Sequence, residues 1–286
     1  MNAMAEKSRN VDPSSTRSDW DRIAHGYDRT NTVTQMWLGE QSLRRARLEP
    51  GERFLDVAAG SGALSIPAAR MRAQVVAVDQ SPVMLQLLAA RALQEGVSIE
   101  TRVMDGHTLD FEDNTFDVAG SQFGVMLFPD MPKGIRELTR VVGHGGRVVM
   151  TVYGNPHEID FLDYFVRAVA TVRPEFTGPP PEPVPLPFQL QDPHRLATEL
   201  ERAGLEDIAV ETITEETAFE TGKQLWDWIR YSNPIVESIL RELRIENDEL
   251  AAIESALERL VRETASGQRA AVLKNPIHIG VGTKRA

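Results

Sequence analysis

The chain has 286 residues and a formal net charge of −11, with 42% hydrophobic residues, 26% charged residues and no cysteine. This composition is that of an ordinary globular protein. The negative charge argues against a nucleic acid as partner, and the lack of cysteine excludes disulfides, thiolate metal sites and a cysteine nucleophile. No apolar run reaches the length of a membrane span and no signal-peptide core is present, so we expect a cytoplasmic enzyme.

The chain opens with polar, irregular residues. Residues 1–16 predict a flexible tail. Ser18 then stands three residues before Asp21, which is the spacing of a capping box, and an apolar stripe that includes Trp20 and Tyr27 predicts the first helix. A second helix is predicted over 35–47. Because both helices precede the first strand, we expect residues 17–48 to form a helical cover over the mouth of a site.

The rest of the chain is organised around residues 54–67. The apolar run Phe54–Val57 predicts a buried parallel strand, and a turn with Gly60 and Gly62 and then a helix pattern follow it. About twenty residues later, the apolar run 74–79 ends in Asp79. A glycine turn lets a ligand approach the backbone closely, and an acid on the next strand can bind ribose hydroxyls. This arrangement predicts a nucleotide-binding site.

Strand and helix patterns alternate as far as residue 153. The alternation predicts an α/β fold with a doubly wound, Rossmann-like parallel sheet, in which ligands bind beyond the carboxyl ends of the strands. We therefore expect the residues at those ends to converge. Strands are predicted over 54–57, 74–79, 99–103, 116–122 and 147–153, with helices over 81–95 and 132–142. The strand ends are 58–62, Asp79, Asp105, Gln122 and Tyr153.

The second half of the chain has a different pattern. Residues 174–193 hold eight prolines, which exclude regular structure and predict a stiff loop crossing the surface. Helices are predicted over 158–172, 192–203 and 222–266, with strands over 208–217 and 276–283.

Four motifs occur in order at suitable spacing. They are Leu55–Gly62, Val76–Asp79 with Ser81–Met84, Asp105–Gly106, and Asn114–Asp117 running on to Phe128–Asp130. With them, the sequence from Trp20 to Gly154 resembles the class I S-adenosylmethionine-dependent methyltransferases. Its general type is similar to the small-molecule, type 11-like branch, which includes ubiquinone- and menaquinone-biosynthesis enzymes.

The resemblance implies a seven-stranded sheet of order 3-2-1-4-5-7-6, with the seventh strand antiparallel. Strand six would be 208–217 and strand seven 277–283. About 55 residues separate these strands, where family members often have a short hairpin. We expect residues 17–286 to form one domain in which the insertion 218–272 is a helical cap beside the substrate site, or an oligomer interface such as that of a homodimer. Ala58 stands where the family often has glycine, and we expect a turn there that needs no positive φ.

The resemblance also implies residue roles for S-adenosyl-L-methionine, from which S-adenosyl-L-homocysteine is the product. Gly60 and Gly62 would pass the methionine part of the cofactor beside Ala58. Asp56 would organise the turn and the amino group, and Asp79 would accept both ribose hydroxyls. The other cofactor-binding residues are Tyr27 over the methionine carboxylate, Gln80 and Met84 against the adenine, Asp105 at its amino group, Gly106 at its ring edge, and Gln122 and Phe123 at the methyl-donor end.

Methyl transfer to a small-molecule acceptor, at oxygen, carbon or nitrogen, is an in-line displacement that mainly requires positioning. Where the acceptor loses a proton, a general base assists, and His157 is the first choice, followed by Tyr153, with His25 and His107 as other candidates. Each histidine could instead be a surface or packing residue. No metal-ligand spacing is present. The apolar aromatic side chains suit a planar or lipophilic acceptor or a core: Phe123–Phe128, Phe161, Phe165, Trp226 and Trp228.

Two other functions stay open. An NAD(P)-dependent Rossmann oxidoreductase would share the first turn, but the third glycine of its fingerprint would fall at Ser65, and no Tyr-x-x-x-Lys follows strand four. A non-catalytic regulator that only binds the cofactor would share every cofactor residue. Calorimetry with each cofactor separates the first alternative, and a methyl-transfer screen tests the second.

Overall fold

A computed structural model describes residues 13–179 and 182–285. Most of the predicted tail, residues 1–12, therefore lies outside the described residues. Its last four residues begin helix α1 (Pro13–Tyr27), so the helix starts earlier than the capping pattern at Ser18 predicts. Within the described ranges, no helix combines the length and the apolarity that a membrane crossing requires.

The centre of the molecule is a seven-stranded sheet of order β3-β2-β1-β4-β5-β7-β6. The first five strands run parallel, and β7 is antiparallel to both β5 and β6. The predicted fold and strand order are thus confirmed. The strands are β1 (Arg53–Val57), β2 (Gln74–Asp79), β3 (Ile99–Val103), β4 (Phe116–Gln122), β5 (Val142–Tyr153), β6 (Leu205–Phe219) and β7 (Ala271–Lys284).

Helices cover both faces of the sheet. Helix α1 does not end in a loop, because a π-helical turn, Asp28–Thr32, carries the chain directly into α2. Helix α4 starts as its sequence predicts, since the Ser81 side chain accepts the backbone N–H of Met84 and Pro82 occupies the first helical position. The remaining helices are α2 (Val33–Arg45), α3 (Ser65–Arg70), α4 (Pro82–Glu95), α5 (Met131–Val141), α6 (Asp160–Ala170), α7 (Pro193–Arg202), α8 (Gly222–Ser232), α9 (Pro234–Glu242) and α10 (Asn247–Ala265).

The β6–β7 hairpin is longer than predicted. Its strands stay paired as far as Phe219 and Ala271, because the inward-facing positions continue to alternate with exposed ones beyond Thr217. Helices α8, α9 and α10 follow at the tip of this hairpin, so the predicted helical insertion is present. They pack with α6 around Trp228 and Leu257 in a core of their own, separate from the core under the sheet.

Candidate active site

The carboxyl ends of the strands meet at a cavity that holds about 950 Å³ of space, including its open mouth. Of the twelve predicted cofactor-binding residues, all but Asp56 and Gly62 lie in its wall. These ten residues are Tyr27, Ala58, Gly60, Asp79, Gln80, Met84, Asp105, Gly106, Gln122 and Phe123. Cofactor binding by each of them stays a prediction.

Asp79 is fixed by the glycine turn. Its Oδ2 accepts the Gly60 N–H at 2.9 Å and its Oδ1 accepts the Ser81 N–H at 2.8 Å. Burial raises the pKa of Asp79, and these two N–H groups oppose part of the rise. Each carboxylate oxygen has further lone pairs, so the side chain is oriented and can still accept two hydroxyls from a ligand in the cavity.

The backbone conformation of Ala58, in the turn after β1, differs from the one that the sequence predicts. Its φ is 57°, in the left-handed region, whereas the sequence predicted a turn without positive φ. Gly60 also has a positive φ of 54°, and a Cβ there would face only Tyr27 Cε1, at 3.7 Å. Because this is an ordinary van der Waals distance and no other atom lies within 4 Å, the backbone at Gly60 can be approached by a ligand beside Tyr27.

Asp56 and Gly62 support the turn from behind. The buried Asp56 carboxyl accepts the Ser65 hydroxyl at 2.5 Å, and its other oxygen has no partner. Burial raises the pKa of Asp56 to about 7, although the Ser65 hydrogen bond opposes the rise. Gly62 has a φ of 102°, and a Cβ there would lie 2.4 Å from Leu88 Cδ1. Direct contact of either residue with a cofactor stays a prediction.

Asp105 and His107 form the outer rim of the same cavity. Asp105 Oδ1 accepts the His107 backbone N–H at 2.9 Å and lies 2.8 Å from His107 Nδ1. Burial raises the pKa of Asp105, but the hydrogen bonds and charge of His107 outweigh this and lower it overall. The His107 ring stacks on Phe128 with centroids 4.4 Å apart. The ionised Asp105 carboxylate therefore lies at the rim of the cavity, beside the flat surface of the stacked His107 and Phe128 rings.

Helix α1 contributes to the wall of the cavity, and a covering role for residues 17–48 stays a prediction. Trp20 and Tyr27 both line it and meet edge to face, with ring centroids 5.9 Å apart. The Tyr27 hydroxyl donates to Gln35 Oε1 at 3.1 Å. Burial and the charges of Asp79, Asp56 and Glu215 raise the pKa of Tyr27, so its hydroxyl keeps its proton.

A second cavity adjoins the first and holds about 840 Å³, including its opening. The two cavities share Trp20, Tyr27, Phe123 and Leu127. Apart from a few polar groups, its walls are apolar and come from α6, from the proline-rich segment and from α8 and α9. Examples are Phe161, Phe165, Pro185, Pro187, Phe188, Ile229, Ile235 and Val236. Trp226 and Trp228, which the sequence offered as acceptor contacts or core, are buried in the core of the inserted helices.

The two predicted base residues lie in different places. The His157 side chain is exposed in a 3₁₀ turn after β5 and lines neither cavity, because the chain turns outward there. Tyr153 lines the second cavity and stacks on Phe123 with centroids 4.4 Å apart. Burial and the Glu215 charge raise the pKa of Tyr153 well above its usual value, and its role as a base stays a prediction.

Sequence reasoning missed a buried polar cluster next to Tyr153. Glu215 Oε2 accepts the Asn275 amide N–H at 3.0 Å, and Gln122 donates to the Gln35 carbonyl at 3.1 Å. Burial raises the pKa of Glu215 to about 7. The signal available was an acid on the inward face of the alternating stretch 213–219.

Among the residues that the structure describes, no group of three or more His, Asp or Glu side chains could hold a metal ion.

Comparisons with known proteins agree with this geometry. A family model described as a methyltransferase domain matches residues 55–150. A demethylmenaquinone methyltransferase of Corynebacterium urealyticum is 30% identical over 223 residues, which cover 74% of this chain and 94% of that protein. An uncharacterized protein of Mycobacterium tuberculosis is 38% identical over 137 residues, 48% of each chain, so the match spans about half the length of that relative.

The fold has solved counterparts. Phosphoethanolamine N-methyltransferase 2 of Haemonchus contortus, in complex with S-adenosylhomocysteine, superposes with a TM-score of 0.53 at 19% identity, covering 92% of this chain and 60% of that one. At this identity the likeness concerns the fold alone. The family, in contrast, follows from the sequence matches over the strand ends that build the cavity. The chain belongs to the class I S-adenosylmethionine-dependent methyltransferases.

Proposed function

We propose that this chain transfers the methyl group of S-adenosylmethionine to a small, largely apolar acceptor. The observation that carries the proposal is the pair of adjoining cavities, which share Trp20, Tyr27, Phe123 and Leu127. One cavity has the glycine turn and the strand-end acids, and the other has mostly apolar walls. A cofactor in the first and an acceptor in the second would meet at the shared residues.

The first cavity suits the nucleoside part of the cofactor. Asp79 is oriented by two backbone N–H groups, and a Cβ at Gly60 would contact only the Tyr27 ring. When bound, the cofactor supplies an electrophilic methyl group on sulfur. The residues of the chain bind and orient it, exclude water and hold the acceptor in line, and such positioning contributes on the order of 7–11 kcal/mol to lowering the barrier.

The second cavity suits a planar or lipophilic acceptor. Phe161, Phe188 and Ile229 supply apolar wall, and Tyr153 supplies a hydroxyl. A relative that covers 74% of this chain is a demethylmenaquinone methyltransferase, which favours a ring compound of that general type over a polar metabolite. We therefore infer an aromatic or quinol-like acceptor. The chain's own geometry leaves oxygen, carbon and nitrogen methylation open.

Calorimetry followed by a radiolabelled methyl-transfer screen tests this function. We expect S-adenosylmethionine to bind, NAD(P) not to bind, and label to move into a product that partitions into organic solvent. Mass spectrometry of compounds that co-purify with the protein then identifies the acceptor class. Binding of NAD(P) without S-adenosylmethionine would replace the proposal with an oxidoreductase. Cofactor binding without transfer to any acceptor in the screen would replace it with a non-catalytic regulator.

A further inference from the structure

Gln35, near the start of helix α2, is a buried polar residue in the wall of the second cavity. It is 2% exposed, and most of the residues that share this wall with it are apolar. Among the described residues that line the cavity, none is Asp, Glu, Lys, Arg or His. Because an unpaired charge would be costly to bury there, the cavity suits an uncharged ligand. Gln35 is one of the few groups in the wall that can orient such a ligand through a hydrogen bond.

The hydrogen bonds of Gln35 leave its amide nitrogen free. Its Oε1 accepts the Tyr27 hydroxyl at 3.1 Å, and its backbone carbonyl accepts the Gln122 amide N–H at 3.1 Å. Within residues 13–179 and 182–285, no group accepts a hydrogen bond from Gln35 Nε2. The nitrogen is not fully enclosed by protein either, in contrast to Gln122 Oε1, which is buried without a partner. Gln35 Nε2 is therefore a donor that borders open space, and the space that Gln35 lines is the second cavity.

The segment before Gln35 is held from two sides. In the π-helical turn between α1 and α2, the Thr32 and Ser61 hydroxyls form a hydrogen bond of 2.5 Å, which joins this segment to the glycine turn after β1. Asn31 Nδ2 donates to the backbone carbonyl of Trp228 in α8 at 3.2 Å. The start of α2 is thus connected to the turn beside the first cavity and to the inserted helices. These contacts fix the place from which the Gln35 side chain extends.

Gln35 also lies beside the junction of the two cavities. Its partner Tyr27 lines both cavities, and its partner Gln122 lines the first. The sequence predicts Tyr27 over the methionine carboxylate of the cofactor and Gln122 at the methyl-donor end. A ligand atom that binds Gln35 would therefore lie at the end of the second cavity that is nearest to the predicted position of the methyl group.

We propose that Gln35 determines acceptor specificity by donating a hydrogen bond from Nε2 to an uncharged oxygen of the acceptor, such as the carbonyl oxygen of a planar ring compound. This inference rests on the proposed function and narrows its acceptor class. A ligand that fills the cavity excludes water from the amide nitrogen, so a ligand oxygen must replace that water as the hydrogen-bond partner. Gln35 exchanges no proton with the acceptor. It holds the oxygen at the junction, so the position that receives the methyl group lies at the same end of the acceptor.

Two uncharged probes with the same planar framework test this inference, 2-acetylnaphthalene and 2-isopropenylnaphthalene. The ketone has a carbonyl oxygen where the alkene has a methylene group. Their affinities for the full chain saturated with S-adenosylhomocysteine are measured by equilibrium dialysis. We expect Gln35→Met to weaken binding of the ketone by about fivefold relative to the alkene, which is the effect of one uncharged hydrogen bond. Because the ratio compares two probes in one protein, a general loosening of the cavity cancels.

Two further variants complete the test. Gln35→Asn keeps an amide in the wall but withdraws the nitrogen by one methylene group, so it should also lower the ratio of ketone to alkene affinity, and it serves if Gln35→Met does not fold. Gln41→Met is the matched control, because Gln41 lies on the same helix and lines neither cavity. It should leave the ratio at its wild-type value.

The possible results separate this inference from the proposed function. An equal loss of both affinities in the Gln35 variants would show that Gln35 only packs against the ligand, and would overturn the inference. A ratio that is unchanged in these variants but falls in Tyr153→Phe would overturn it too, since the donor would then be the Tyr153 hydroxyl in the same wall. If S-adenosylhomocysteine binds and neither probe binds, the proposed apolar acceptor fails as well. If both probes bind and only the ratio is unaltered, the proposed function stands without Gln35.

Discussion

Ala58 holds a left-handed backbone conformation, with φ of 57°, in the turn after β1. This conformation destabilises a residue that has a Cβ by roughly 1–2 kcal/mol. Glycine adopts it without that strain, but its larger loss of backbone entropy on folding costs about 0.5–1 kcal/mol. We therefore expect Ala58→Gly to raise the free energy of unfolding by up to about 1 kcal/mol in urea denaturation. The neighbouring Ala59→Gly is the control and should lower it. Equal losses in both variants would contradict the assigned strain.

Asp79 is the residue on which cofactor affinity should depend most directly. Asp79→Ala removes the acceptor of two backbone N–H groups and the carboxylate that is predicted to accept the ribose hydroxyls. We expect S-adenosylmethionine binding to weaken by roughly 1–3 kcal/mol in calorimetry. Asp163→Ala, on the exposed surface of α6, should leave affinity unchanged. Wild-type affinity in Asp79→Ala would remove this carboxylate from the site.

The sequence located Asp79 and Gly60 because their roles depend on one strand, one turn and the next strand. It did not locate Glu215, since its partner Asn275 is 60 positions away and meets it only through the register of the β6–β7 hairpin. His157 was chosen because it follows β5, but chain position does not determine where a side chain points after a turn. Its side chain is exposed and lines neither cavity, and a catalytic role for it stays a prediction.

At the scale of elements, Ser81 joins helix α1 to helix α4. Its hydroxyl accepts the Met84 N–H at 3.1 Å and donates to Asp21 of α1 at 2.5 Å. Ser81→Ala should therefore cost more than the typical 1 kcal/mol of a lost N-cap, about 2 kcal/mol in thermal or urea unfolding, and should weaken cofactor binding by loosening the cover. Thr221→Ala, which removes only the cap of α8, is the control. An equal loss of unfolding free energy in the two variants would show that the Ser81–Asp21 hydrogen bond to α1 does not stabilise the protein.

Element types were predictable where local pattern decided them. The buried runs of β1, β2 and β4 and the capped start of α4 follow from residues that neighbour one another in the chain. The outer end of the β6–β7 hairpin was not predicted, because the predicted strands 208–217 and 276–283 stop short of it, whereas pairing continues through Ala218 and Phe219 on β6 and residues 271–275 on β7. Its pairing is stabilised instead by burial under the inserted helices, which only the tertiary structure provides.

At the scale of the molecule, buried acids make stability depend on pH. Burial raises the pKa of Asp56 and of Glu215 to about 7. Between an ordinary carboxyl pKa of about 4 and these values, the folded state holds protons that the unfolded chain has lost, so the free energy of unfolding falls as pH rises. We expect a decline of up to about 1.4 kcal/mol per pH unit for each group, measured by urea denaturation of the cofactor-free protein between about pH 4 and pH 7.

Carboxyl groups whose pKa is lowered affect the free energy of unfolding over a different pH range. Glu137, beside Arg140, gains its stabilisation above its ordinary pKa of 4.5 and loses it only as pH falls below that value. Asp56→Asn and Glu215→Gln should each flatten the decline between pH 4 and pH 7, whereas Glu216→Gln should not. A stability that rises steadily with pH across this window would show that neither acid is held protonated in the folded state.

The overall architecture was predictable because motif order, strand alternation and the family resemblance specify the same sheet. The second cavity was not predictable, since its walls come from α1, α6, the proline-rich segment and the inserted helices together. No single stretch of sequence carries a pattern for such a surface. The wall of the first cavity therefore follows from local sequence, and that of the second from long-range packing.

The β6–β7 hairpin connects the sheet to the inserted helices, and the two parts contribute to different cavities. Its strands pair with the sheet through β5, while two of the helices that it carries, α8 and α9, supply walls of the second cavity. Exchange of residues 219–271 between related chains could therefore retune which compound is accepted, with the machinery for the methyl donor left in place. A different accepted compound would then require changes in residues 219–271 and not in the sheet.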